Sequence, residues 1–353
     1  MCGLKPIFAE LARLNLMSLT HVNLPPIALS TSQLALGDEV PGMAAGRSAP
    51  SGSGEVDAGT LRPAAAFAAS LGFAALQLSV TAAGLRPRDL DRSARRDLAG
   101  MLRRSGLGLS GVDCFVPPEH LVLPAFVDRA VAALVAAAET SRELADLCAG
   151  TPSGPKDGAS AGASVTFFAH PSTSAEVLTT IADAGDRHGV RFAQANWPMV
   201  PRAEIGDGEP SVGAQSVGQP GTRAGLAARF ASALDPAALL AGGLDPAAEL
   251  ARSAGYAVTP RLSDVSTVGR AVAGVSASSD AMLGGGRLDV FAYATTMLAC
   301  GIGGAMVLDL RGTGDNARGA MLAMQALAEI AAGGGNAGGA GSASSASWLT
   351  ARR

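Results

Sequence analysis

The sequence predicts an α/β protein of the (β/α)8 TIM-barrel class, built as a single domain, on three observations. Eight strand-like runs alternate with helical runs between residues 27 and 332, the repeat from which a closed ring of parallel strands is made. Most of those runs are apolar throughout, as strands covered on both faces are. No phosphate-binding glycine turn follows the first strand, which sets aside a doubly wound open sheet. Residues 106–111 match G-x-G-x-x-G by letter. They follow a helix and open a strand, the reverse of the dinucleotide-binding context, so no nucleotide cofactor is expected.

Taken in order, residues 27–35 (IALSTSQLA) alternate small polar with apolar side chains and read as the first strand. A long Gly/Ser/Pro-rich loop covers 42–59. A helix over 63–71, ended by Gly72, leads to strand two at 74–80. Asp89 or Asp91 caps an amphipathic helix over 92–104, whose Leu98, Met101 and Leu102 share a face. Strand three, 107–115, follows Gly106. The spacing then predicts a long helix over 126–147, a strand at 164–169 ending at His170, and a helix over 174–188 stopped by Gly189. Strand five is expected at 190–196, followed by a Gly/Pro/Ser loop at 207–222.

The stretch 228–250 reads as a short apolar strand ending at Asp235-Pro236, a turn of small residues, and a helix opening at Asp245-Pro246. Strand seven is expected within 256–264, where Pro260 argues for a bulge, an edge or a strand end. A helix at 288–299, strand eight at 305–310 and a helix at 316–332 complete the pattern. Residues 1–22 are an N-terminal extension, with Met17 an alternative start, and residues 23–332 form the barrel. The tail, 333–353, is a low-complexity Gly/Ser/Ala run expected to be disordered.

Composition narrows the function. At 353 residues and 48% hydrophobic the chain can bury a sizeable core. A formal net charge of -3 leaves no electrostatic footprint for nucleic acid. Cys2, Cys114, Cys148 and Cys300 are scattered without a CxxC, which favours a reduced, cytoplasmic protein. No apolar run reaches the roughly 18–20 residues of a membrane span, so no membrane partner is expected.

Polar residues gather where the strands end, the place where barrels keep their chemistry. In order they are Gln77, Asp113 with Glu119 and His120, His170, Gln194 with Asn196, Asp235, Arg261 with Asp264, and Asp309 with Arg311. This is a polar ring in a chain only 16% charged. His120 and His170 are candidates for acid–base or substrate-binding work, and equally for structural roles. His188, at a helix end, suits a C-terminal dipole partner. The loop 311–316 offers backbone N–H groups to an anion, unless Asp315 is a plain helix cap.

The runs LGF-AALQL, SARRDLAGMLRRSGLGLSGVDCF, ALDPAALLAGGLDP and GGGRLDV make the chain resemble the sugar phosphate isomerase/epimerase family, the xylose isomerase-like TIM barrels. The similarity runs from about residue 27 to 330 and is strongest at 71–115 and 228–312. The resemblance implies a divalent cation (Mn, Mg or Zn) held by Glu, Asp, His and Glu at four strand tips. Two of those carboxylates move a proton beside a sugar carbonyl through an enediolate. Carried over, the aspartate ligand falls on Asp235, the first glutamate on Gln194, the histidine on Arg261 with Thr259 at the neighbouring histidine's place, and the last glutamate on Asp309. Asp264 matches an acidic residue after the histidine strand.

The departures change the chemistry. Gln194 is neutral and no general base. Arg261 has no lone pair for a metal. Asp309 is one methylene shorter than the glutamate. Three carboxylates with a +2 ion sum to -1, as do two carboxylates with one Arg. Arg261 then stands either where the metal would, paired with Asp235 and Asp309, or in solvent beside an eroded site. Two functions follow. One is an isomerase or epimerase acting on a small sugar or sugar phosphate. The other is a catalytically inactive barrel binding a carbohydrate-like ligand or a protein partner. The catalytic set is Asp235, Asp309, Gln194 and Arg261, with Asp235 and Asp309 as the metal pair. His120, His170, Asn196, Asp264 and Arg311 are the substrate-binding set.

Overall fold

The computed structural model describes residues 24–31, 61–149, 163–195, 226, 229–256, 259–264, 287–310 and 316–333. The N-terminal extension, the loops at 42–59 and 207–222, Asn196, the loop 311–315 and the tail beyond 333 lie outside the described residues.

Eight strands make one sheet: β1 (Ile27–Ser30), β2 (Ala75–Ser79), β3 (Gly108–Asp113), β4 (Ser164–Phe167), β5 (Arg191–Gln194), β6 (Ala231–Ser232), β7 (Arg261–Leu262) and β8 (Met306–Leu308). All recorded pairings are parallel, in the order β6-β5-β4-β3-β2-β1-β8-β7. The two end strands meet through the Arg261 N–H, which donates to the Leu234 carbonyl at 2.8 Å, and through Ser232 N–H to the Tyr256 carbonyl at 2.8 Å. The sheet therefore curls round on itself.

Helices sit between the strands: α1 (Leu61–Ser70), α2 (Arg92–Arg104), α3 (Val127–Cys148), α4 (Ala175–His188), α5 (Pro236–Ala241), α6 (Pro246–Arg252), α7 (Val290–Ala299) and α8 (Asn316–Gly333). A short 3-10 turn, Pro118–Leu121, follows β3. Asp91, Ser174, Asp245 and Asp289 each cap a helix by accepting a first-turn backbone N–H. Gly189 closes α4 in the left-handed conformation at φ 64°.

Two expected elements come out differently. Strand seven is two residues long, because Pro260 has no N–H for a ladder and Thr259 before it has φ 44°. The small-residue turn expected after Asp235 is the helix α5. Asp235 accepts from Ala237 N–H, proline occupies the first turn, and the alanines and leucines that follow are strong helix formers.

The pleat sorts the strands into two faces. Leu29, Leu76, Leu78, Val165, Phe167, Phe192 and Leu308 belong to the large core shared with the helices. The opposite, inner face is built small: Ala28, Ala75, Ala305 and Val307 form one cluster, and Ala193, Ala231 and Ala233 another. This leaves room for a long side chain to cross the interior.

Gly111 sits beside the register shift of the β2–β3 pair, at φ 126°. A Cβ there would stand 2.2 Å from Ser164 Oγ and 3.0 Å from the Ser164 carbonyl oxygen. Strain and overlap together predict that Gly111→Ala destabilises the fold by about 2–3 kcal/mol. Urea unfolding reads the loss, and a variant as stable as the parent would show that β3 and β4 do not approach this closely.

Candidate functional site at the barrel mouth

Register places the inner polar residues in layers. Arg261 pairs with Val307, which pairs with Ala28 and through it with Ala75. One layer further along, Ser30 is level with Gln77. Ser79, Asp113 and Thr166 are level above them. The Arg261 side chain rises from the alanine layer into these polar ones. It is fully buried, at 0% exposure.

Its guanidinium is held on several sides. One Nη donates to Asp309 Oδ2 in a buried ion pair, and the other donates to Gln77 Oε1 at 3.1 Å. Gln77 passes the connection on, donating from Nε2 to Thr166 Oγ1 at 3.2 Å. The Phe115 ring covers the guanidinium carbon at 5.1 Å from its centroid, within cation–π range. Phe115 in turn packs on Phe168, with centroids 4.8 Å apart. Buried charge persists only when paired and hydrogen-bonded, and this network supplies both conditions.

Two further carboxylates face inward. Asp113, fully buried at the end of β3, accepts from Ser30 Oγ at 3.3 Å. Asp235 follows the inward Ala231 and Ala233 along the pleat, and its Oδ1 accepts from Ser263 Oγ and from Ala237 N–H at 3.1 Å. Asp235 thus serves as helix cap and mouth residue together.

The other sequence-predicted residues fall elsewhere. Gln194 pairs with Phe167 and lies two residues after Phe192, so the pleat puts it on the outer face rather than toward Arg261. Asp264 Oδ1 accepts from Arg287 N–H and Leu288 N–H, both at 2.9 Å, and so clasps the segment entering α7. His120 stacks on Phe126 at 4.5 Å, where Arg129 also lies 5.3 Å from the ring centroid. His170 Nδ1 accepts from Ser172 N–H at 3.1 Å, within its own turn. Asn196 and Arg311 lie outside the described residues. Sequence reasoning found Gln77 and Asp113 at strand ends but did not carry them into the site, and it missed Thr166, Ser263 and Phe115. The alternation A-L-Q-L-S in β2 and S-V-T-F in β4 was the available signal.

The described residues at the mouth do not fit a divalent cation. Among the described residues no group of three or more His, Cys, Asp or Glu is placed to share an ion. A hard cation wants several oxygen ligands, and here one of the carboxylates is bound to a permanent guanidinium charge. Among the described residues, no helix is long and apolar enough to cross a membrane.

Two buried acids stand beside the mouth. Burial, helped by the charge of Asp113, pushes the Cys114 thiol up to about 12. Burial and then the charge of Asp235 push the Tyr293 phenol up as well. Among the described residues, the buried Tyr293 hydroxyl has no hydrogen-bond partner.

No family model matches the chain, and no curated protein matches it. Solved structures do. One is a xylose isomerase-like TIM barrel protein from Mycobacterium smegmatis in complex with magnesium, at 14% identity and TM-score 0.54 over 88% of this chain and 97% of that one. Another is a xylose isomerase domain protein from Planctomyces limnophilus, at 15% identity and TM-score 0.53 over 87% and 95%. A third is an L-ribulose 3-epimerase, at 16% identity and TM-score 0.53 over 79% and 90%. At such identities the likeness shows the fold, which is that of the xylose isomerase-like TIM barrels.

Two predictions follow from this geometry. Arg261→Ala or Asp309→Ala leaves a buried charge without its partner and costs about 3–5 kcal/mol each, while the double variant Arg261→Met/Asp309→Leu loses far less than the sum. Additive losses in urea unfolding would deny the pairing. The second concerns alkaline pH. The Cys114 thiol ionises at 9.0 when unfolded and only at about 12 when folded. Its contribution is intact below pH 9.0 and is lost as pH rises from 9.0 toward about 12. The raised Tyr293 phenol acts in the same direction above its ordinary 10.0. The double variant Cys114→Ala/Tyr293→Phe should therefore lose stability more slowly with pH above 10, by up to ~1.4 kcal/mol per pH unit for each group. Equal alkaline slopes for variant and parent would place both groups in water.

Proposed function

We propose, from the xylose isomerase-like TIM-barrel fold, that this chain binds a small, unphosphorylated sugar at the mouth of the barrel. The supporting observation is the clamped Arg261. A fully buried guanidinium held by Asp309 and Gln77 beneath Phe115 fixes a constellation of donors and acceptors at the strand ends. Sugars are recognised by such fixed groups together with an aromatic wall, here Phe115 against Phe168. Charge argues for the unphosphorylated form. Asp113, Asp235 and Asp309 are all buried at or just past the strand ends, and among the described residues Arg261 is the one cation buried with them, so a phosphate dianion would meet more carboxylate than guanidinium. The M. smegmatis and L-ribulose 3-epimerase likenesses support the sugar class without fixing which sugar.

A second reading, isomerase or epimerase chemistry, is favoured by one specific feature. Asp113 ends β3 and Asp235 lies just past β6, on walls separated by two other strands. Carboxylates approaching from different sides suit removal of a proton from one face of a carbon beside a carbonyl and its return to another.

Calorimetric titration with unphosphorylated ketoses and aldoses, and with the corresponding phosphates, tests the first reading. At least one free sugar should bind, its phosphate should bind at least about ten-fold more weakly, and Phe115→Ala should weaken the free sugar. Preference for the phosphate would overturn the charge argument, and no sugar binding would overturn the reading. Incubation in D2O tests the second: deuterium should appear beside the sugar carbonyl, and disappear in Asp235→Asn.

A further inference from the structure

We infer that Arg261 is the resident cation of the barrel mouth, so that a permanent guanidinium takes the part an exchangeable divalent ion would play and the site works without metal. The inference rests on the reading above that the mouth is the ligand site.

The argument begins from charge. Asp309 is buried at the end of β8, and a buried carboxylate calls for a positive partner in a medium of low dielectric. The chain supplies one from its own backbone. Arg261 stems from the alanine layer, where Ala28 and Ala75 leave space, and reaches Asp309 and Gln77 with its head group. Its position is determined by contacts of three different kinds: an ion pair with Asp309, a hydrogen bond to Gln77 at 3.1 Å, and the Phe115 ring at 5.1 Å. Gln77 is itself fixed by Thr166. A head group held from β8, β2 and the segment after β3 is preorganised, as a good electrostatic site requires.

Metal entry is opposed by the same contacts. A divalent ion seeking Asp309 would meet a guanidinium already bound to that carboxylate and buried with it, and would have to break the pair or accept close repulsion. Asp235 Oδ1 already accepts two hydrogen bonds, from Ser263 and Ala237. The guanidinium is covalently part of the chain, so this cation cannot dissociate as a metal ion can.

The test uses the full-length protein and Mn2+ as probe, with binding read by electron paramagnetic resonance and by thermal unfolding. Wild type should show no saturable Mn2+ binding up to about 1 mM and no rise in Tm, and any sugar it binds should bind equally after EDTA. Arg261→Gln, which removes the guanidinium from the Asp309 carboxylate, should acquire saturable Mn2+ binding and a Mn2+-dependent rise in Tm. Arg261→Lys, which keeps the charge but loses the two-pronged geometry, should stay metal-free while binding sugar roughly ten-fold more weakly. Stoichiometric Mn2+ binding by wild type that is lost in Asp309→Asn would overturn the inference. So would a folded Arg261→Gln that ignores Mn2+. Should Arg261→Gln not fold, wild type and Arg261→Lys decide: Mn2+ binding by either overturns the inference, and its absence in both supports it. Failure of every sugar to bind would sink the proposed function while the Mn2+ measurements still decide this point.

Discussion

A positive charge sealed inside a ring of strands must be matched by charge and hydrogen bonds there, and the Arg261–Asp309 pair is the constraint to which the rest of this interior conforms. Its demands can be traced outward. The guanidinium needs space, and the inner face supplies it with Ala28, Ala75, Ala193, Ala231 and Ala233 where a packed barrel would carry bulkier branched side chains. It needs acceptors, and Gln77 presents its oxygen at 3.1 Å while spending its amide on Thr166. It needs cover from water, and Phe115 lies across it. Its own backbone N–H joins β7 to Leu234, so one residue both helps close the ring and charges its centre.

The fold was legible in the sequence because most strands are unambiguous. In β2 the order A-L-Q-L-S alternates large apolar with small or polar side chains, so the helix-facing and interior-facing sets can be read directly. The helix α2 announces itself through Asp91 and the spacing of Leu98, Met101 and Leu102, and its observed limits match the expected ones. The stretch after Asp235 was harder. In a chain this rich in Ala and Gly, P-A-A-L-L-A looks as much like a turn of small residues as like a helix, and only the cap geometry of Asp235 decides for α5. Strand seven was harder still, since two residues offer no period and a proline stands directly before them.

The site was legible in part. Arg261, Asp309 and Asp235 were drawn from the strand ends, and the structure brings the first two into contact and sets the third on the inner side of the following helix cap. Gln194 shows where analogy outran the pleat. In R-F-A-Q, Phe192 faces the helices and Ala193 the interior, so the residue after them turns outward again. The same rule brings Asp113 and Thr166 inward, and applying the two-residue period to each strand would have placed both on the interior face that Gln77 shares. Phe115 could not have been found this way. It lies beyond the end of β3, where the chain leaves the ladder and the alternation stops being a guide.

Buried ion pairs are poor sources of stability compared with apolar packing of the same volume, so their retention calls for a reason beyond folding. Here the reason is preorganisation: a cation that cannot exchange, held ready at the strand ends. The nitrogen NMR spectrum of the arginine side chains tests that most directly, with the Arg261 signals identified by their loss in Arg261→Lys. A clamped guanidinium predicts four separate Nη proton signals with slow solvent exchange, unchanged by Mg2+ and merged into an averaged signal in Asp309→Asn. A single averaged, fast-exchanging signal in the wild-type protein, like that of an arginine in water, would contradict the account.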